Sequence, residues 1–227
     1  MELLKIGWWI LMNNKAEKRR EQILRAAFQA VSEKGFHSVT LQDIADYADV
    51  SKGVTSYYFQ NKEDVFRHLL EWVTEKIYKN EHAAISKEHN ALDKLRAYVH
   101  AAFANPSDNR KFYRVYLEFL AQANHNEQFR QTNDQFYENC WSIGREIIQL
   151  GQKEGTFANV DIDKASYTIR ALIDGSLIQW LMQNNDQLHT FYRDNCLETL
   201  SSYLRNKNNQ NSKQPSFTSE EEKGTTI

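Results

Sequence analysis

Apolar residues recur at helical spacing along almost the whole chain. Between Lys15 and Lys34 they fall at Ile23, Leu24, Ala27, Phe28, Ala30 and Val31, one stripe of 3.6-residue period. Gly35 follows where a left-handed residue closes a helix. Thr40-Leu-Gln-Asp43 opens a second helix with an acidic form of the capping box, running through Ile44 and Ala45 to about Ala48. Asp49-Val50 makes a tight turn to Ser51, the cap of a third, short helix ending near Phe59. Asn61 caps a fourth, which carries Val65, Phe66, Leu69, Leu70, Val73 and Ile77 on one face.

Beyond Ser86 the pattern predicts helices over Leu92–Ala104, Lys111–Ala123, Glu127–Glu154, Ile162–Gln183 and Leu188–Leu204. Asn105-Pro106-Ser107-Asp108 reads as the turn between the first two, and Gly155 stops the third. The second half of Ile162–Gln183 is apolar nearly all round, and a helix without a wet face must be covered on every side. With the stripe of the last helix it predicts a four-helix dimer interface, built on Ile169, Ile173, Leu177, Leu181, Cys196 and Leu200. The competing reading keeps both helices inside a monomer core. No strand pattern and no repeat occur. The expectation is an all-α chain: a head over 15–72, a helical body over 73–205, an N-terminal extension over 1–14 and a structureless polar tail over 206–227.

Two prolines and eight glycines in 227 residues suit long helices with few turns, and 12% aromatics suit a bulky core. A net charge of −2 excludes an indiscriminate nucleic-acid coat, so any DNA site must be small and local. Cys140 and Cys196 make no disulfide framework, which fits buried thiols in a reducing, cytoplasmic setting better than a redox pair. The seven histidines form no metal-ligand motif, and no cofactor is expected. The opening MELLKIGWWIL has an apolar run too short to span a membrane and no cleavage site behind it. Met12, heading the basic MNNKAEKRR, reads as the better start.

The chemistry lies in Val39–Lys62, VTLQDIADYADVSKGVTSYYFQNK. Two short helices joined by a few residues cross steeply, needing a small residue where they touch and an apolar one in the turn. Ala45 and Val50 stand there, and Ile44 anchors the first helix. The second helix opens at Ser51-Lys52-Gly53-Val54, where free backbone N–H groups and the positive helix end face outward to meet phosphates. Gly53 weakens that helix and makes sense if the backbone must approach a duplex closely. Tyr57 and Tyr58 offer hydroxyls to phosphate oxygens. Lys62 opposes the dipole of the helix it begins, a penalty accepted if its ammonium faces a phosphate.

From RREQILRAAFQAVSEKGF through TLQDIADYADVSKGVTSYYFQNKEDVF the chain resembles the TetR family of repressors, over about Lys15 to Trp72. Ala171-Leu-Ile-Asp-Gly175 is similar, less specifically, to the family's dimerisation region. The resemblance implies an all-helical homodimer with recognition helices about 34–36 Å apart, matching a palindromic operator. A small-molecule ligand in the body would release that operator. By position, Thr40, Tyr57, Tyr58 and Lys62 match phosphate contacts, and Gln42, Lys52, Gly53 and Val54 match positions facing base edges. Ser56 stands where a tyrosine is usual, and Thr55 replaces a larger apolar residue and is expected to pack.

For the ligand, Phe112, Tyr116, Phe119, Trp141 and Trp180 with Glu118 among them could receive a cation through ion pairing and cation–π contact. The blander reading makes the aromatics core and turns Glu118 to water. Two rivals stand beside a regulator. A helical enzyme lacks any nucleophile–base pair or Gly-rich phosphate loop. A protein-interaction bundle would use the head as a docking module.

Overall fold

The computed structural model describes residues 2–205, with side chains from Lys15 onward, and the expected tail at 206–227 lies outside the described residues. Among the described residues there are nine helices and no strand: α1 (Glu2–Lys34), α2 (Leu41–Tyr47), α3 (Lys52–Tyr58), α4 (Lys62–Ile85), α5 (Ala91–Ala102), α6 (Pro106–Ala123), α7 (Glu127–Lys153), α8 (Ile162–Gln183) and α9 (Leu188–Arg205). Helix α1 begins at Glu2, so the backbone of the N-terminal extension continues the first helix.

The helix boundaries follow from their caps. Asparagine or aspartate side chains at Asn61, Asn90, Asn105, Asn126 and Asp161 each accept an N–H from the first turn of the helix they precede. Asn105-Pro106 is therefore a helix start: Pro106 needs no hydrogen-bonded N–H there, and α6 begins five residues before Lys111. Gly35 and Gly155 adopt φ of +81° and +70° behind α1 and α7, as a helix-closing glycine should.

The head is α1 to α3 and the start of α4, packed around Ile23, Ala27, Ile44, Phe59, Val65 and Phe66. Helix α4, about 36 Å long at 1.5 Å per residue, runs on from the head into the body. There α5 to α9 close around Leu95, Tyr113, Phe136, Ile147 and Ile173. Helices α7 and α8 approach so closely that a Cβ on Gly144 would sit 2.9 Å from that of Ser166.

The proposed dimer residues need correction. Ile169, Ile173, Leu177, Leu181, Cys196 and Leu200 are all buried within the single chain. One face of α8 serves this core. Its other face carries Thr168, Ala171 and Met182 exposed, with Leu172, Gly175 and Ile178 half-buried.

Candidate DNA-binding surface and ligand cavity

In the head, the Thr40 hydroxyl accepts the N–H of Asp43, and the Asp43 carboxylate accepts the N–H of Thr40 at 2.8 Å. Lys34 adds an ion pair at 2.5 Å, and that hydrogen bond, followed by those of Thr40, holds the Asp43 carboxyl well below the usual carboxylate range. The turn passes through Asp49 in the left-handed region, φ +50°, and Val50 donates its N–H to the Ala45 carbonyl. Gln22 of α1 donates to the Ala48 carbonyl at 2.6 Å, pinning the turn from behind. Ser51 then caps α3 by accepting from Val54 N–H.

This scaffold presents one surface. Thr40, Gln42, Ser51, Lys52, Gly53 and Ser56 are exposed, and Val54 and Tyr58 are half-buried. Tyr57 is 82% exposed and lies edge-on to Tyr58. Gln42 donates to Asp46 at 2.7 Å, so its amide is oriented along α2. A Cβ on Gly53 would meet nothing closer than the Ser51 hydroxyl at 3.8 Å, so the protein itself gives no reason for a glycine there. Thr55 is buried as expected, with its hydroxyl unpaired. Lys15 and Arg19 of α1 border the same groove as Ser51, Gly53, Tyr57 and Tyr58. The basic run of MNNKAEKRR was the available signal for them.

Lys62 departs from expectation. Its ammonium donates to the carbonyls of Phe36, His37 and Val39, the last at 2.9 Å. The cation at the start of α4 is stabilised by the α1–α2 loop.

In the body, the six proposed ligand residues do not form one site. Trp180 is buried at the far end, donating to the Asn185 carbonyl, and Trp141 lies half-buried between Tyr137 and Tyr167. Phe119 and Glu118 face the head, where the Glu118 carboxylate accepts the N–H of Phe36. The expectation that Glu118 meets either a ligand or water is thus corrected: it binds backbone. Tyr116 is buried, donates to Asn133 and stacks on Phe112. Phe112 alone of the six lines a partly open cavity, of about 150 Å³, between α4, α5, α6 and α8.

The floor of that cavity is a buried charge network that sequence reasoning missed. Arg170 gives two hydrogen bonds to Asp174, at 2.9 and 2.6 Å, and a third to Glu81 on α4 at 3.2 Å. Tyr113 donates to Asp174 at 2.7 Å, and the Phe136 ring lies 4.9 Å from the guanidinium. With Arg170 doubly paired to Asp174, Glu81 is the surplus carboxylate, and burial pushes its carboxyl up to about 7 despite Arg170. The signal was present: charges at 81, 170 and 174 on otherwise apolar helix faces require partners. Burial also raises both thiols, Cys140 and Cys196, to about 12, which keeps them unreactive.

A capped helix-turn-helix carried on a helical body is the architecture of a DNA-binding transcription regulator. The model of the bacterial regulatory proteins, tetR family, matches residues 23–69, and that of the BetI-type transcriptional repressor C-terminal region matches 91–206. The chain belongs to the TetR family. It is 31% identical over 166 residues to the HTH-type transcriptional regulator BetI of Serratia proteamaculans, covering 69% of this chain and 78% of that one. It is 26% identical to the fatty acid metabolism regulator protein of Bacillus subtilis, over 82% and 95% of the two chains. Its fold matches a choline-bound structure from Saccharomonospora viridis, with TM-score 0.74, 24% identity and 81% and 96% coverage. It also matches the regulator FadR of Bacillus subtilis in complex with stearoyl-CoA, with TM-score 0.67, 25% identity and 80% and 97% coverage.

Proposed function

We propose that this regulator is a homodimeric repressor released from a palindromic operator by a small organic cation held in the body cavity. The observation that carries the ligand class is the surplus carboxylate. Glu81 lies at the cavity floor and Asp108 at its mouth, with Phe112 and Tyr113 as aromatic walls. At about 150 Å³ the space is below the ~300–1,000 Å³ of drug-sized ligand sites, so a compact ligand fits and a long acyl chain does not. The choline bound by the Saccharomonospora structure has that size and charge.

On the DNA side, Lys52, Gly53, Val54 and Gln42 read base edges, while Thr40, Tyr57, Tyr58, Ser51, Lys15 and Arg19 meet phosphates. Ser56 is exposed beside them and too short to replace the usual tyrosine. Dimerisation uses the outer face of α8 at Ala171, Gly175, Ile178 and Met182, joined by Phe191 of α9. Met182 and Phe191 are 67% and 62% exposed, and no atom lies within 4 Å of a Cβ built on Gly175.

The test is anisotropy of labelled duplexes covering the DNA beside its own gene, titrated with choline. Choline should release the bound duplex, more strongly as the pH passes about 7 and Glu81 ionises. Glu81→Gln should bind the duplex normally yet need on the order of 30-fold more choline. Release by acyl-CoA and not by choline would overturn the cation reading.

A further inference from the structure

We propose that Glu118 is a positioning residue for DNA recognition: from the body it holds the backbone joint on which the helix-turn-helix hangs. The joint is Gly35–Val39, between α1 and α2. Gly35 donates to Val31 and ends α1 in the left-handed region, so the next N–H, that of Phe36, has no helical carbonyl to bind. The carboxylate of Glu118, on α6, accepts it. Its oxygens also lie 3.5 and 3.7 Å from where a Cβ on Gly35 would stand, ordinary contact distance, so the glycine is required by its positive φ and the carboxylate packs directly against the joint.

The carbonyl side of the joint is held from the opposite direction. Lys62, on α4 of the head, donates to the carbonyls of Phe36, His37 and Val39. One strip of peptide is thus clamped between an anion of the body and a cation of the head. Both bonds are charge-assisted, the stronger kind for neutral backbone. The Phe36 ring completes the joint, packing 4.7 Å from Phe66 of α4, 5.3 Å from Phe119 of α6 and 6.1 Å from Phe129 of α7. Gln122, one turn after Glu118, reaches His37. One residue beyond the joint, Thr40 begins the capping box that fixes α2, and α2 sets α3.

A shift of α6 therefore moves the joint directly, without passing along α4. The inference rests on the DNA-binding reading for its affinity measurement only, because head–body geometry can be measured without DNA. Spin labels on cysteines placed at Asp46 and Gln149, both exposed, report the head–body distance within one chain when labelled protein is diluted into unlabelled. The native thiols are buried and do not compete.

Glu118→Ala should broaden that distance distribution and weaken operator binding by about tenfold, a typical coupling between sites. The salt dependence of binding should keep its slope, because no phosphate contact is removed. Glu118→Gln, whose amide oxygen still accepts the Phe36 N–H, should recover most of the narrow distribution and most of the affinity. An unchanged distance distribution in Glu118→Ala overturns the proposal. So does undiminished operator affinity in Glu118→Ala, which would show that the joint does not position the recognition helix.

Discussion

The head and the body solve opposite problems with the same helices. The head has a dry core of Ile23, Ala27, Ile44, Phe59 and Phe66, and it turns its charges outward as caps and surface pairs such as Lys34–Asp43. The body buries three charges, Glu81 on the last part of α4 and Arg170 and Asp174 on α8. An apolar core specifies one arrangement and holds a surface rigidly in front of DNA. A buried ion network is stable only while every member is satisfied, so it is sensitive to a new charged guest. Under the proposed function, the half that reads DNA keeps its charges on its surface and the half that senses a ligand buries them.

The comparison breaks hardest at Arg170. Arg170→Met leaves Glu81 and Asp174 buried without their cation, and such a loss is worth about 3–5 kcal/mol. In a chain of this size the melting temperature should fall by roughly 10 °C in thermal unfolding at neutral pH. Lys34→Ala, which cuts an exposed pair of the head, should move it far less. Equal shifts for the two variants would mean that the body network is no more consequential than a surface ion pair.

Next in size is the pH dependence of Glu81. Its carboxyl is raised from 4.5 to about 7, first by burial and then by Asp174, with Arg170 opposing; Tyr98 and Cys140 also face it. Between those two values the folded chain keeps a proton that the unfolded chain has released. Stability therefore falls as the pH rises through that window and levels off above about 7. The effect is on the order of 3 kcal/mol, from 1.36 kcal/mol per pKa unit. Glu81→Gln should flatten this part of the stability–pH curve, measured by denaturant unfolding at several pH values. A slope that survives the substitution assigns the titration elsewhere.

The head was far more legible than the body, for a physical reason. Its function depends on local devices, namely a capping box at Thr40–Asp43, a small residue at Ala45, an N-cap at Ser51 and a closing Gly35, and each has a sequence signature within a few residues. The start of α6 was misplaced because Asn-Pro marks a turn and an N-cap equally well. The body's buried charge network is assembled from positions 89 and 93 residues apart in sequence, Glu81 with Arg170 and with Asp174. No local pattern pairs them. Aromatic abundance pointed instead to Trp141, Trp180 and Phe119, which pack in separate places. Reading α8 as apolar all round hid which of its faces the chain itself would cover, and that error put Leu177 and Ile173 in the dimer interface.

The smallest effect separates the two regions most cleanly, because one substitution should have opposite signs in them. Gly144 of the body lies against α8, and an added Cβ would stand 2.9 Å from that of Ser166, too close for backbone-borne atoms to yield. Gly144→Ala should therefore cost about 1–3 kcal/mol through forced separation of α7 and α8. Gly53 of the head lies in ordinary helical backbone with open space around it, so Gly53→Ala should stabilise the chain by up to about 1 kcal/mol. If that glycine exists to let the recognition helix approach a duplex, the same methyl group should weaken operator binding while raising the melting temperature. Thermal unfolding and anisotropy on one protein sample read both. A more stable Gly53→Ala protein with undiminished DNA affinity would show that the duplex does not come within a methyl's reach of α3 at that point.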